Sequence, residues 1–301
     1  MHSKDILFND NWQFCLCDIG TQLTALADKK WYNVELPHDW LIGDTKNLYA
    51  TGEGWYRRTL AVTPEQLSGR VFINFDGVYM NSTVYVNGKE AGTWTYGYSA
   101  FEYDITGLLH EGDNEILVRV KHEAPNSRWY SGAGIFRDVT LKYRPATYIR
   151  TNGIYIHSEK GENGTWHTEI ETDICGEASD IRMVISLLDP DSSTIAAYEQ
   201  KAHFDGGTET FSNSFDITAP MVWDIDSPAL YTLAVELYKG EEFLGIEYVD
   251  HGYRTVEFIP EKGVVLNGRQ IKLHGVCMHH DLGALGAAYN YSALYRQLSI
   301  M

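Results

Sequence analysis

Histidine and aspartate side chains stand next to each other at two places in the sequence, and these are the first candidates for chemistry. The imidazoles and carboxylate of His279-His280-Asp281 are groups that ligate zinc, but three consecutive loop residues rarely point at one ion, and no second ligand group with suitable spacing accompanies them. His38-Asp39 could polarise a nucleophile, yet no serine or cysteine nucleophile motif occurs with it. We therefore predict no zinc site and interpret His38-Asp39 as structural.

Asp138 has a carboxylate side chain and follows Arg137 at the predicted end of a strand. Such an aspartate can form a surface salt bridge with its neighbour, or it can accept hydrogen bonds and bind a hard cation through oxygen. The residues alone leave both roles open. Nearby, Trp129 and Tyr130 have side chains that stack on sugar rings, although burial is the more common fate of an aromatic side chain.

The sequence contains four cysteines, at positions 15, 17, 175 and 277, and none of them forms a CxxC pair. This spacing argues against a zinc site and against a thioredoxin-like centre. Cys15 and Cys17 would share one face of a strand without a third cysteine to pair with. The prediction is four buried thiols and no disulfide framework.

Short runs rich in Val, Ile, Tyr, Phe and Trp, separated by Gly, Asn and Asp, dominate the chain up to about residue 285. Arg70–Phe75 and Glu115–Val120 alternate apolar and polar residues, as strands with one wet face do. Asn87-Gly88 supplies two residues that tolerate positive φ, which predicts a tight hairpin. Turn signals recur at the spacing of an antiparallel sandwich, and the first run of strands is long enough for a jelly roll.

A second run of strands follows Arg144-Pro145, and its size suits an immunoglobulin-like sandwich. After Gly252-Tyr253-Arg254 the pattern changes to a small hairpin at Asn267-Gly268, a strand at Ile271–Val276 and a helix capped by Asn290 or Ser292. A strand followed by a helix is typical of the first unit of a parallel α/β domain. Such a lone unit cannot bury its apolar face, so we expect residues 258–301 to pack poorly.

The formal net charge is -17, with 41 acidic and 24 basic side chains among 301 residues. A surface of this sign repels phosphate backbones and anionic headgroups, which argues against nucleic acid and membrane partners. The N-terminus has no apolar signal-peptide core, and no stretch approaches the length of a membrane helix. These features predict a cytoplasmic protein, unless an export signal was removed.

Several segments, taken in order, resemble glycoside hydrolase family 2 of the β-galactosidase type. The most specific is Ser127–Val139, and the others are Leu36–Trp40, Gly54–Arg58, Phe75–Val78, Val84–Gly88, Tyr98–Thr106, Trp223–Tyr231, Gly252–Arg254, Leu266–Gly268 and His274–Asp281. Their order and spacing extend over essentially the whole chain.

The resemblance implies a mainly β fold in three parts. Residues 1–146 would be the jelly-roll sugar-binding-type domain, residues 147–257 an immunoglobulin-like sandwich, and residues 258–301 the incomplete beginning of a catalytic (β/α)₈ barrel. The function implied is that of the N-terminal portion of a retaining glycoside hydrolase acting on a β-galactoside or a related oligosaccharide. A homo-oligomeric full-length enzyme is left open.

Two substrate-binding residues carry over from the family. Asp138 matches the aspartate that holds the 6-hydroxyl of the sugar and a sodium ion, and His279 matches the histidine that hydrogen-bonds sugar hydroxyls. Sodium, and with it magnesium, is implied for the full-length enzyme, while these residues alone would require neither. Residues 49–54 lack the asparagine by which some β-galactosidases contact galactose. Glucuronides and mannosides therefore remain alternative substrates.

No catalytic residue carries over. A retaining glycosidase needs two carboxylates about 5 to 5.5 Å apart, and the family uses two barrel glutamates whose motifs match none of the acidic residues of this sequence. We therefore expect these 301 residues to be inactive alone. The alternative hypothesis is a free-standing carbohydrate-binding or adhesion module made of two sandwiches, because sandwich folds host many functions.

Overall fold

The computed structural model describes residues 2–301 and divides into two compact units. The N-terminal unit comprises Lys4–Tyr143 together with Met278–Met301. The central unit comprises Arg144–Cys277 together with His2 and Ser3. The fold is mainly β and consists of two sandwiches in sequence order, as the sequence predicts. The predicted domain borders at 146/147 and 257/258 stay a prediction, and the structure distributes residues 258–301 over both units.

The N-terminal unit is built from twelve strands and two α-helices. In chain order its strands are β1 (Lys4–Leu7), β2 (Trp12–Cys17), β3 (Tyr32–Val34), β4 (Gly52–Val62), β5 (Arg70–Phe75), β6 (Val78–Tyr79), β7 (Ser82–Val86), β8 (Lys89–Trp94), β9 (Phe101–Asp104), β10 (Gly112–His122), β11 (Gly134–Ile135) and β12 (Val139–Arg144). The helices are α1 (Pro64–Leu67) and α2 (Tyr291–Ile300).

Two main sheets form the sandwich of the N-terminal unit. One has the order β1-β12-β5-β9, the other has the order β3-β2-β4-β10-β7-β8, and β11 pairs with β6 in a short ribbon. The inward-facing side chains are fully buried aromatic and β-branched residues such as Trp12, Tyr56, Ile73 and Phe75. The predicted hairpin between β7 and β8 is confirmed, since Asn87 and Gly88 both have positive φ, 51° and 75°.

The central unit contains ten further strands. They are β13 (Thr147–Lys160), β14 (Thr165–Gly176), β15 (Ser179–Leu188), β16 (Thr194–Phe204), β17 (Gly207–Thr218), β18 (Tyr231–Lys239), β19 (Glu242–His251), β20 (Val256–Ile259), β21 (Gly263–Leu266) and β22 (Arg269–Ile271). They form sheets of order β13-β14-β17, β16-β15-β18-β19 and β20-β21-β22. The core of the unit includes Trp166, Met183, Leu233 and Tyr253.

The predicted strand at Ile271–Val276 is not formed. Ile271 ends a strand, and residues 272–279 are irregular and exposed. A barrel strand is held by hydrogen bonds to parallel strands on both sides, and none lies beside residues 272–279 in the part of the chain that the structure describes. Cys277 lies in this segment and is exposed, so the prediction of four buried thiols is wrong for it, whereas the other three are buried and all four are free. Among residues 2–301 no helix has the length and apolar character required to cross a bilayer.

The helix predicted near the C-terminus is present as α2, and Asn290 caps it by accepting a hydrogen bond from the amide of Ala293 at 3.0 Å. Its apolar side chains are exposed, among them Tyr295, Leu298 and Ile300. The expectation of poor packing therefore holds for α2. It is wrong for the segment just before the helix, where Ala287 is buried.

Candidate functional site

Asp138 and His279, the two residues predicted to bind substrate, line one cleft of the N-terminal unit with a volume of about 620 Å³. Asp138 lies in the connection between β11 and β12, and His279 lies in the segment that leads to α2. Other lining residues that matter below are Asp76, Phe136, Arg137, His280 and Ala287. The fold thus brings together two positions that are far apart in the sequence.

The Asp138 carboxylate is oriented by Asn9, which is 7% exposed. The Asn9 amide donates from Nδ2 to Asp138 Oδ1 at 2.8 Å, and Asn9 Oδ1 accepts from the backbone amide of Val139 at 2.9 Å. Because both ends of the Asn9 amide are used, its orientation is fixed. Within the described residues Asp138 Oδ2 accepts no hydrogen bond, so this oxygen is available to a ligand in the cleft.

The alternative role of Asp138, a salt bridge with Arg137, is not what the structure shows. Arg137 donates from Nη1 to the backbone carbonyl oxygens of Asp76 at 3.3 Å and of Tyr98 at 3.2 Å. Its guanidinium carbon also lies 5.0 Å from the ring centroid of Phe136. Arg137 therefore fixes the loops on which the cleft is built, and no basic side chain in the described part of the chain pairs with the Asp138 carboxylate.

The two adjacent histidines have different surroundings. His280 donates from Nε2 to the carbonyl oxygen of Ser131 at 2.9 Å, and its ring contacts those of Tyr98 and Phe136. His279 is exposed, and among residues 2–301 the one aromatic ring in contact with its imidazole is that of Trp129, edge-on with centroids 4.7 Å apart. The His280 contacts anchor the backbone, so the His279 imidazole stays free to donate through one nitrogen and accept through the other.

Trp129 is 42% exposed at this site, so burial, the more common role of an aromatic side chain, does not apply to it. Its contact with His279 gives the rim of the cleft an aromatic face beside a hydrogen-bonding group. Apolar ring surface next to polar groups suits the mixed character of a sugar ring. The sequence identified Trp129 as a stacking candidate, but exposure alone could decide between the two roles.

Asp39 is the residue that attaches the segment before α2 to the sandwich, and it is only 5% exposed. Its Oδ1 accepts from the amides of Leu41 and Ala133, each at 3.0 Å. Its Oδ2 accepts from the Ala287 amide at 2.9 Å and from the Tyr130 hydroxyl at 2.5 Å. Burial, and then the hydrogen bond to Asp39, raise the pKa of Tyr130. The structural interpretation of His38-Asp39 is confirmed, but sequence reasoning missed that Asp39 positions a wall of the cleft.

Within residues 2–301 no group of three or more His, Cys, Asp or Glu side chains is arranged to hold a metal ion. That His279-His280-Asp281 is not a zinc site stays a prediction. Asp138 Oδ2 is a hard oxygen donor and fits a sodium ion as one ligand. The sodium site itself stays a prediction.

Comparison with known proteins places both units in one family. Residues 22–145 match the model of the glycosyl hydrolases family 2 sugar binding domain, and residues 147–254 match a second model of glycosyl hydrolases family 2. The first match covers Asp138, and His279 lies beyond both.

Relatives with similar sequences are glycosidases. The chain is 39% identical to beta-galactosidase BoGH2A of Bacteroides ovatus over 98% of this chain and 36% of that protein. It is 28% identical to a beta-glucuronidase of Bacteroides fragilis over 95% of this chain and 43% of that protein. The chain thus spans well under half the length of these curated relatives.

Solved structures show the same relationship. A glycosyl hydrolase family 2 member from Bacteroides cellulosilyticus superposes with a TM-score of 0.89 at 30% identity, covering 98% of this chain and 42% of that one. The beta-glucuronidase of Bacteroides uniformis superposes with a TM-score of 0.89 at 25% identity, covering 100% of this chain and 38% of that one. Matching models over both units, together with these relatives and structures, establish that the chain belongs to glycoside hydrolase family 2.

Proposed function

We propose that the cleft of the N-terminal unit is the substrate-side wall of a retaining glycosidase that acts on β-galactosides. The observation that carries this proposal is the arrangement of Asp138 and His279, which line one cleft and keep hydrogen-bonding atoms free for a ligand. Asp138 Oδ2 would accept a hydrogen bond from a sugar hydroxyl, and the His279 imidazole would donate to or accept from another. The preference for galactose over other sugars is supported by the family match of Asp138 and by the similarity to a beta-galactosidase.

The proposal gives this chain a role in binding and orientation and assigns it no catalytic residue. Hydrolysis with retention requires a nucleophilic carboxylate and an acid/base carboxylate about 5 to 5.5 Å apart. In the family these are barrel glutamates, and no acidic residue of this sequence matches their motifs. The chemistry of bond cleavage would therefore need groups in addition to those of Asp138 and His279.

Asp138 would serve as one ligand of a sodium ion. When bound, the ion would supply positive charge that holds sugar oxygens and the Asp138 carboxylate together. Asn9 would keep Oδ2 directed at that position whether or not the ion is present, because its own amide is fixed from both ends.

Saturation-transfer NMR on the 301-residue chain tests the proposal, since it detects weak binding of methyl β-galactoside, methyl β-glucuronide and methyl β-mannoside under equal conditions. We expect saturation transfer to the galactoside to exceed that to the other two. Asp138→Ala and His279→Ala should each reduce the galactoside signal several-fold, because each removes a hydrogen-bonding group worth about 1 kcal/mol.

Asp113→Ala is the matched control, since it removes an exposed carboxylate of the same unit that does not line the cleft. It should leave the galactoside signal unchanged. Equal signals in the wild type, Asp138→Ala and His279→Ala would refute the assignment of the cleft. A larger signal for the glucuronide would refute the galactoside preference.

A further inference from the structure

The outer face of the six-stranded sheet of the N-terminal unit carries a second concavity that the proposed function does not use. Its volume is about 1060 Å³, larger than that of the cleft, and the two share no lining residue. We call it the polar trough and define it by six side chains of four neighbouring strands and their ends, Gln13, Asn33, Glu35, Arg57, Thr59 and Glu115.

Strand register places these side chains on one face. Gln13 is paired with Asn33 on one side and with Arg57 on the other, and Thr59 is paired with Glu115. Residues directly opposite each other in a sheet, and residues two apart along a strand, point to the same face. The trough therefore has two polar rows across β3, β2, β4 and β10, a width of roughly 15 Å at the usual strand spacing.

The floor of the trough is held in one arrangement by its own contacts. The Arg57 guanidinium carbon lies 4.3 Å from the ring centroid of Trp31, and Arg57 Nε donates to Gln13 Oε1 at 2.8 Å. Gln13 Nε2 in turn donates to Asn33 Oδ1 at 3.0 Å. A sheet face that is only solvated has side chains that move independently, whereas preorganised groups lose less entropy when a ligand binds.

After these contacts within the floor, both hydrogen-bond donors and hydrogen-bond acceptors remain that can bind a ligand in the trough. The terminal nitrogens of Arg57 and the Nδ2 of Asn33 remain as donors, while Glu35 and Glu115 supply carboxylate acceptors. Arg58, the next residue along β4, points to the opposite face, where its guanidinium carbon lies 3.4 Å from the ring centroid of Phe8. Arg57 is therefore the one arginine of the defined trough and faces two glutamates, which leaves an excess of negative charge. A phosphate or a uronic acid would meet the carboxylates, whereas hydroxyl groups, which both donate and accept, match the mixed surface.

We propose that the polar trough is a second saccharide site, specific for a neutral oligosaccharide and independent of the cleft. Its width is too large for one monosaccharide and suits a short oligosaccharide. Such a site would hold the protein on a glycan. Another part of the same glycan, or a second glycan molecule, could then be bound at the cleft.

Isothermal titration of the 301-residue chain with β-1,4-galactotetraose and cellotetraose, both neutral, and with trigalacturonic acid tests this proposal. The wild type should bind at least one neutral tetrasaccharide and should bind the charged sugar at least tenfold more weakly. Asp138→Ala, which impairs the cleft, should retain this affinity. Arg57→Ala and Asn33→Ala should each weaken it at least fivefold.

Arg70→Ala is the matched control for Arg57→Ala, because Arg70 is an exposed arginine of the other sheet paired with Asp104. It should bind as the wild type does. Asn33 is exposed, so Asn33→Ala should fold even if Arg57→Ala does not. The proposal is overturned if neither neutral sugar binds, if Asn33→Ala binds normally, if Asp138→Ala alone abolishes binding, or if trigalacturonic acid binds equally well.

Discussion

Asn9 decides which oxygen of the Asp138 carboxylate faces the cleft, because its fixed amide occupies Oδ1 and leaves Oδ2 free. Asn9→Ala removes this orientation and also leaves the Val139 amide without its acceptor. We expect galactoside binding to weaken about three- to tenfold, in line with the loss of one hydrogen bond to a charged group. The measurement is a saturation-transfer titration of the variant.

Asn47→Ala is the control for Asn9→Ala, since Asn47 is an exposed loop asparagine of the same unit. Urea unfolding of both variants separates orientation from stability. Normal galactoside binding by a folded Asn9→Ala protein would show that Asn9 does not position Asp138.

His38 makes the stability of the N-terminal unit depend on pH. Burial lowers the pKa of His38 to about 4 from the ordinary 6.5, against the smaller opposing effect of Asp39, and Nδ1 lies 2.8 Å from the Tyr56 hydroxyl. The unfolded chain therefore binds the proton more readily than the folded one. The stabilisation is complete above pH 6.5 and is lost as the pH falls towards 4, by at most about 1.4 kcal/mol for each pH unit.

Replacing His38 by Asn should flatten this pH dependence, because the side chain no longer titrates. Urea unfolding of wild type and variant at pH 7, 6 and 5 measures the effect. An identical fall in the free energy of unfolding for both proteins would exclude His38 as its source. Burial also lowers the pKa of His122 in the same unit and that of His251 in the central unit, the latter to about 4. The His38 variant should therefore keep a reduced pH dependence in the N-terminal unit and the full one in the central unit.

The segment before α2 is held in place at Gly286, where φ is +61° and an added Cβ would lie 2.4 Å from Asp39 Oδ2. Gly286→Ala should therefore displace the Ala287 amide from Asp39 and release this wall of the cleft. We expect a cost of about 1 to 3 kcal/mol and faster proteolysis of residues 278–301.

Gly283→Ala is a matched control because Gly283 has a similar φ of +65° but nothing within 4 Å of the added Cβ. It shares the backbone strain without the clash. Equal proteolysis rates for the two alanine variants would show that contact with Asp39 does not hold the segment.

Among the secondary-structure elements, sequence patterns correctly predicted the features that depend on neighbouring residues only, namely tight turns and a helix cap. The Asn87-Gly88 and Asn267-Gly268 turns form hairpins because both residues of each pair tolerate positive φ, and Asn290 caps α2 as its side chain suggests. The strand at Ile271–Val276 failed because a parallel strand depends on neighbours that its own residues do not encode. The Asp39–Ala287 contact joins positions 248 residues apart, and no periodic pattern signals such a pair.

In the candidate site, too, the sequence predicted some features and the fold alone revealed the others. Asp138 and His279 could be named from family motifs, but the motifs did not reveal that Asn9 orients one and that His280 anchors the other. The polar trough was not predicted, because it exists only once strand register puts Gln13 between Asn33 and Arg57.

In the molecule as a whole, we expect these 301 residues to bind substrate without catalysing its hydrolysis. The purified 301-residue chain should release no nitrophenol from nitrophenyl β-galactoside above the rate of buffer, because it lacks the paired glutamates of the family. An absorbance assay at high protein concentration measures this. Release that disappears when an acidic residue of this chain is replaced would place the catalytic groups within it.

The central claim is that Asp138 and His279 together bind a galactoside, and mapping the bound sugar onto the protein tests it most directly. The measurement is a titration of isotope-labelled chain with methyl β-galactoside, followed through the backbone amide of Asp138 and the imidazole signals of His279. We predict that both shift along one saturating curve in the wild type and that Asp138→Ala moves the His279 curve to several-fold higher sugar concentrations. Shifts confined to other residues, or a His279 shift unchanged by Asp138→Ala, would contradict the claim.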